Sequence, residues 1–176
     1  MRSPSFSHWL QMLLFLAWIG HFAAAVDLSA RVVSIVKDGL TQLDAAVHSE
    51  NAGTTQGTTW VHTALEEVTN DFIMSIPAIQ QSDKVDVSKL VESLRKGQNS
   101  LSSACLKIIV LSKPFQKIGI ARGIEARMSR LLAAQTDMFN LLYKRTNANT
   151  VKTFQATYAD AVEKVIVAYS KLLPVL

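Results

Sequence analysis

The stretch from Ile120 to Leu142 constrains the rest of the chain more than any other. Projected on a helix of about 3.6 residues per turn, Ala121, Ile124, Met128, Leu131, Met138, Phe139 and Leu142 share one face. Arg122, Arg127 and Arg130 fall mostly on the other. A single helix with such a stripe is not stable in water, so other elements must cover it. One polar residue, Gln135, interrupts the stripe near its centre.

Four further stretches carry stripes of the same kind. The first is predicted from about Asp27, a plausible N-cap, to Val47, with Leu28, Val32, Ile35, Val36, Leu40, Leu43 and Val47 inward. The segment Glu50 to Thr59, with two glycines and several threonines, reads as a loop. The second helix covers about Thr59 to Ser75, and Pro77 is expected to kink or end it. Gln80 to Lys84 is a polar break. The third starts near Asp86 and runs to about Leu111 on Val87, Leu90, Val91, Leu94, Leu101, Cys105, Ile108 and Ile109, with Gly97 as a weak point inside it. Between Ser112 and Gly119 the pattern breaks; Pro114 opens a short helical piece and Gly119 permits a bend. The Ile120–Lys144 helix follows, then a polar turn at Thr146 to Thr150. The last helix runs from about Val151 to Leu173 on Phe154, Tyr158, Ala161, Val162, Val165, Tyr169 and Leu172. No segment shows sustained strand alternation. The predicted fold is all-α, an antiparallel bundle of five amphipathic helices.

Residues 1–25 read differently. Arg2, an apolar run from Leu10 to Ile19, and Ala23, Ala24 and Ala25 match a secretory signal peptide, with the mature chain starting near Val26. The expected organisation is therefore a signal peptide at 1–25 and one domain at 26–176. Removing Arg2 lowers Lys plus Arg from 18 to 17 against 14 Asp plus Glu, a net charge of +3. That excess is spread along the chain and forms no clustered basic face, so nucleic acid is not an expected partner. Cys105 is the only cysteine; it lies on an apolar face and reads as a buried small hydrophobe rather than half of an intermolecular disulfide. The end of the chain has too short an apolar tail for a GPI signal, which leaves a secreted, extracellular protein without an integral membrane segment.

The residues offer an enzyme little. There is no H-E-x-x-H, G-x-S-x-G or Gly-rich phosphate loop, and Glu66 and Glu67, being adjacent, point about 100° apart on a helix. His62 and Glu66 at i and i+4 make half a metal site that nothing completes, so no metal or other cofactor is expected. Polar residues inside the stripes are more informative: Ser75, Gln98, Ser112, Gln135 and Thr157. Each either bonds to neighbouring backbone, or some of them line a cavity and hold the polar head of an apolar ligand.

Several stretches carry a family resemblance: "DLSARVVSIVKDGLTQLDAAV" after the signal peptide, "LSKPFQKIG" from Leu111 to Gly119, and "YADAVEKVIVAYSKLL" from Tyr158 to Leu173. The chain resembles the fungal hydrophobic surface-binding protein A and cell-wall galactomannoprotein family over essentially the whole of residues 26–176. The resemblance implies a secreted helical domain that binds fatty acids or similar lipids between its helices. It also implies, for some members, hydrophobic surfaces or cell-wall material as partners, where they assist secreted esterases. The Ser/Thr-rich tail and GPI signal of the wall-attached members are missing here. Combined with the stripes, the expected site is a long-chain fatty acid against Leu40, Leu43, Leu94, Leu101, Met128, Leu131 and Val165, its carboxylate on Gln135, with Ser112 and Thr157 behind it.

Overall fold

The computed structural model describes residues 35–81, 87–147 and 149–172, without the side chains of 87–91. The expected signal peptide, the mature start, the cap at Asp27 and the cap at Asp86 lie outside the described residues. Within them the chain forms six helices and no strand. These are α1 (35–48), α2 (Thr55–Gln81), α3 (Val87–Val110), the short α4 (Ser112–Lys117), α5 (Ala121–Thr146) and α6 (Asn149–Ser170).

Local chemistry sets the boundaries. α2 begins four residues earlier than the threonine-rich composition predicts, because Thr54 Oγ1 accepts the Gly57 backbone N–H at 3.2 Å and so caps the first turn. α2 also continues through Pro77 to Gln81. The carbonyl that Pro77 leaves without its helical donor belongs to Ile73, which is 43% exposed and can be hydrated. α4 is the short piece expected at Pro114, and Gly119 turns the chain after it with φ of 78°. α5 ends on Asn147, left-handed at φ 50°, whose N–H returns to the Tyr143 carbonyl at 2.7 Å.

The helices close a ring. α5 packs against α2 and α6, and α6 against α3. α1 completes the circuit: Gly39 lies against Asp71 and Val68 of α2, and Leu40 reaches Gly97 of α3. A simple antiparallel arrangement describes only part of this. α5 and α6 run in opposite directions, joined by Gln155 to Asn140 at 3.1 Å near one end and by Ser170 to Glu125 at 2.6 Å near the other. α2 and α5 run in the same direction, since Glu66 meets Arg127 and, further along both helices, the Gln80 carbonyl meets Arg145. α3 and α6 are also parallel: Tyr158 and Tyr169 of α6 donate their hydroxyls to the carbonyls of Leu94 (2.7 Å) and Ile108 (2.8 Å) of α3.

Tyr158 is the hub of the interior. Its ring meets Phe139 of α5 edge-on at 5.2 Å and Phe72 of α2 at 6.4 Å. Gly97, which costs α3 helix propensity, has a packing reason beside Tyr158. A Cβ there would lie 2.7 Å from Leu40 Cδ1 and 2.9 Å from the Tyr158 hydroxyl, so its absence admits both side chains. Cys105 is buried among these residues as expected, and burial pushes its thiol up to about 12.

One seam carries a titratable group. Asp71 fills the space beside Gly39, its Oδ2 2.2 Å from where a Cβ would be. Burial, with the nearby charges of Glu67 and Asp38, pushes its carboxyl from 3.8 to about 6. The folded state thus binds the proton more tightly than the unfolded chain. Stability falls as pH rises from about 4 to about 6 and stays lower above that. Asp71→Asn should stabilise the protein at pH 7 by about 1 kcal/mol, discounted because the group is partly exposed, and by nothing near pH 4. Urea denaturation at the two pH values checks this; an equal effect at both would contradict it.

Candidate functional site

The apolar residues expected at the site all reach the interior. Leu40 and Leu43 of α1, Leu94 and Leu101 of α3, Met128 and Leu131 of α5 and Val165 of α6 belong to one hydrophobic core. The polar candidates separate. Thr157 is half-buried, and its hydroxyl donates to the Thr153 carbonyl of its own helix at 3.0 Å. Ser112 is half-buried at the start of α4 rather than within the stripe of α3. Ser75 is buried but satisfied by the Asp71 carbonyl at 2.6 Å, and Gln98 is half-buried.

Gln135 stands apart. It is 1% exposed, and neither its Oε1 nor its Nε2 has a hydrogen-bond partner among the described residues. On α5 its neighbours one turn away are Leu131 and Phe139, with Met128 and Met138 on the same face. A buried primary amide without partners costs roughly 1–3 kcal/mol. Its two donors and one acceptor suit a carboxyl group, whose oxygens accept from the NH2.

A second polar group lies on the outside of the bundle, where α2 meets α5. A cleft of about 170 Å³ is lined by Glu66, Thr69, Asn70, Arg127 and Arg130. It is smaller than the roughly 300 Å³ at the low end of small-molecule sites, and too polar for a hydrocarbon chain. Glu66, which with His62 resembled half a metal site, accepts instead from Arg127 Nη2 at 2.9 Å. Arg127 Nη1 also donates to the Gly123 carbonyl at 3.4 Å, while Nε is buried without a partner. Burial lowers the His62 pKa, Arg127 lowers it further, and Glu66 opposes both. The sequence shows the i, i+4 spacing of His62 and Glu66, but the pairing with Arg127 depends on how α2 and α5 are offset. Nothing local encodes that offset. Among the described residues no helix is long and apolar enough to cross a membrane.

No protein-family model matches the chain, and no curated protein matches its sequence. Solved structures do match. The chain is similar to ligand-binding domain 1 of the Penicillium marneffei MP1 protein, solved complexed with arachidonic acids. That match has a TM-score of 0.71 and 13% identity, over 82% of this chain and 98% of that one. It is also similar to ligand-binding domain 2 of the same protein, complexed with multiple arachidonic acids. Here the TM-score is 0.73 and the identity 12%, over 82% of this chain and 96% of that one. A further structure of domain 2 in complex with arachidonic acids gives a TM-score of 0.74 at 12% identity, over 85% and 96% of the two chains. At these identities the shared property is the all-helical fold of those ligand-binding domains.

Proposed function

We propose that this protein is a non-enzymatic lipid carrier that holds a long-chain fatty acid between its helices. The observation that carries the reading is Gln135, an unpartnered amide buried on an apolar face. The likeness of the fold to domains solved with arachidonic acids supports the ligand class. In this reading the tail lies along Leu40, Leu43, Leu94, Leu101, Met128, Leu131 and Val165, and the carboxylate accepts from Gln135. Met128 and Met138, unbranched and flexible, form a wall that adapts to the tail. Burying a tail of roughly fifteen methylenes at about 0.8 kcal/mol each supplies on the order of 12 kcal/mol. Association and ordering costs of several kcal/mol leave an affinity of around micromolar or better. A secretory signal peptide at 1–25, membership of the surface-binding and galactomannoprotein family, and action outside the cell belong to the same proposal.

Calorimetry on the delipidated protein tests it. Wild type should take up a long-chain fatty acid at a fixed stoichiometry. Met128→Trp, which fills the interior next to Leu131, should weaken uptake about tenfold or more, since overpacking a core costs roughly 1–3 kcal/mol. No uptake by wild type overturns the proposal. Adsorption to hydrophobic beads without uptake would favour a surface-active protein instead.

A further inference from the structure

The outer seam between α2 and α5 joins positive charge to exposed apolar surface. Arg127 and Arg130 face one carboxylate, Glu66, across the cleft, and Glu66 is already taken by Arg127 Nη2. Arg130 has no ion pair among the described residues. Asn70 adds a neutral donor, whereas the Thr69 hydroxyl is committed to the Leu65 carbonyl at 2.6 Å. The cleft is therefore a concave site with one uncompensated guanidinium, sized for a compact anionic group. Residues one turn apart on a helix are neighbours, so Ile73 and Met74 follow directly beyond Thr69 and Asn70. They are large and apolar, yet 43% and 68% exposed.

We propose that this seam docks the protein on an anionic lipid surface, with a lipid phosphate in the cleft and Ile73 and Met74 entering the acyl boundary. Charge complementarity selects the partner: a guanidinium without a counter-ion binds phosphate through charge-assisted hydrogen bonds. The adjoining apolar pair selects a surface over a free anion, because a dissolved phosphate gives Ile73 and Met74 nothing to contact. An amphipathic face of this kind binds by buried apolar area plus attraction to anionic lipid. The proposal goes beyond fatty-acid carriage and does not depend on it. Uptake of a fatty acid from solution reports on Gln135, whereas vesicle binding reports on the seam.

The test is co-sedimentation of the protein with two kinds of vesicle, phosphatidylcholine alone and phosphatidylcholine mixed with phosphatidic acid. Wild type should prefer the mixed vesicles, and added salt should weaken that binding. Arg130→Glu should reduce it about tenfold or more, since each basic residue at an anionic leaflet contributes roughly fivefold. Met74→Ser should reduce it about fivefold without changing the salt dependence. Lys96→Glu makes the same charge change on α3, away from the seam, and should cost no more than about twofold. No preference of wild type for the mixed vesicles overturns the proposal. Equal losses in Arg130→Glu and Lys96→Glu also overturn it, by showing attraction to net charge alone. A third arm titrates inorganic phosphate: tight binding of phosphate without vesicle binding would make the cleft a site for soluble anions and overturn the docking assignment.

Discussion

Replacing Gln135 by leucine should make the empty protein more stable and a poorer binder at the same time. In the folded chain both amide atoms are removed from water and neither is paired. Leucine, of similar size, removes a desolvation cost of about 1–3 kcal/mol. For a chain of this length that corresponds to a rise in melting temperature of roughly 2–4 °C per kcal/mol. The same substitution deletes the one fully buried amide on the α5 stripe. A hydrogen bond to a charged group is worth roughly 1.5–3 kcal/mol, so fatty-acid affinity should fall by about tenfold or more. Thermal denaturation and calorimetry of the delipidated variant give the two readings. Opposite signs identify a residue kept for its ligand at the expense of stability. A loss of stability would mean that the amide is satisfied within the protein, and unchanged affinity would remove Gln135 from the site.

The other large effect is expected at Gly57, in the first turn of α2. A Cβ there would lie 1.8 Å from the Asn51 carbonyl oxygen and 2.8 Å from the Ala52 Cα. These are backbone atoms, so no rotamer change relieves the clash. Gly57→Ala must push the 49–54 loop off α2 and pull Gly57 N–H from its cap on Thr54. The expected loss is at least about 3 kcal/mol, through overpacking and a lost cap together. Gly119→Ala is the control. Nothing lies within 4 Å of that position, and only the φ of 78° opposes a side chain, at a cost of about 1 kcal/mol. Urea denaturation of both variants separates the cases; a loss at Gly57 no larger than at Gly119 would mean that the loop yields freely.

What the sequence makes legible is what repeats locally. The stripes of α3, α5 and α6 recur every three or four residues, and the buried residues follow them closely. The break around Pro114 and Gly119 is equally readable, because proline and glycine act on their own backbone. The offset and direction of helices remote in sequence are not local properties. This is why the parallel pairs α2/α5 and α3/α6 could not be read from the stripes. Pro77 misleads as a boundary because its cost depends on whether the Ile73 carbonyl can reach water, and only the packed structure decides that. Among the polar candidates, Gln135, Ser112 and Thr157 look alike in the sequence as polar residues near apolar stripes. They differ in reach: a threonine hydroxyl folds back onto its own helix, as Thr157 does, whereas a glutamine amide extends beyond it. Tyr158 reads as one more core aromatic in the sequence, since its contact with Leu94 spans 64 residues.

The two tyrosine hydroxyls that fasten α6 to α3 bear on how the protein comes into being. Each joins residues more than sixty positions apart, and α6, the later of the two helices in the chain, supplies both donors. During synthesis α3 emerges before α6, so the part of its apolar face that α6 covers waits for that partner, while Leu40 of α1 is already at hand. Pairing α3 with α6 closes a loop of more than sixty residues, a non-local contact whose closure entropy must be met before the packing offsets it. The order of the helices thus sets a large sequence separation for the contacts that join α3 to α6, the kind of topology that folds slowly.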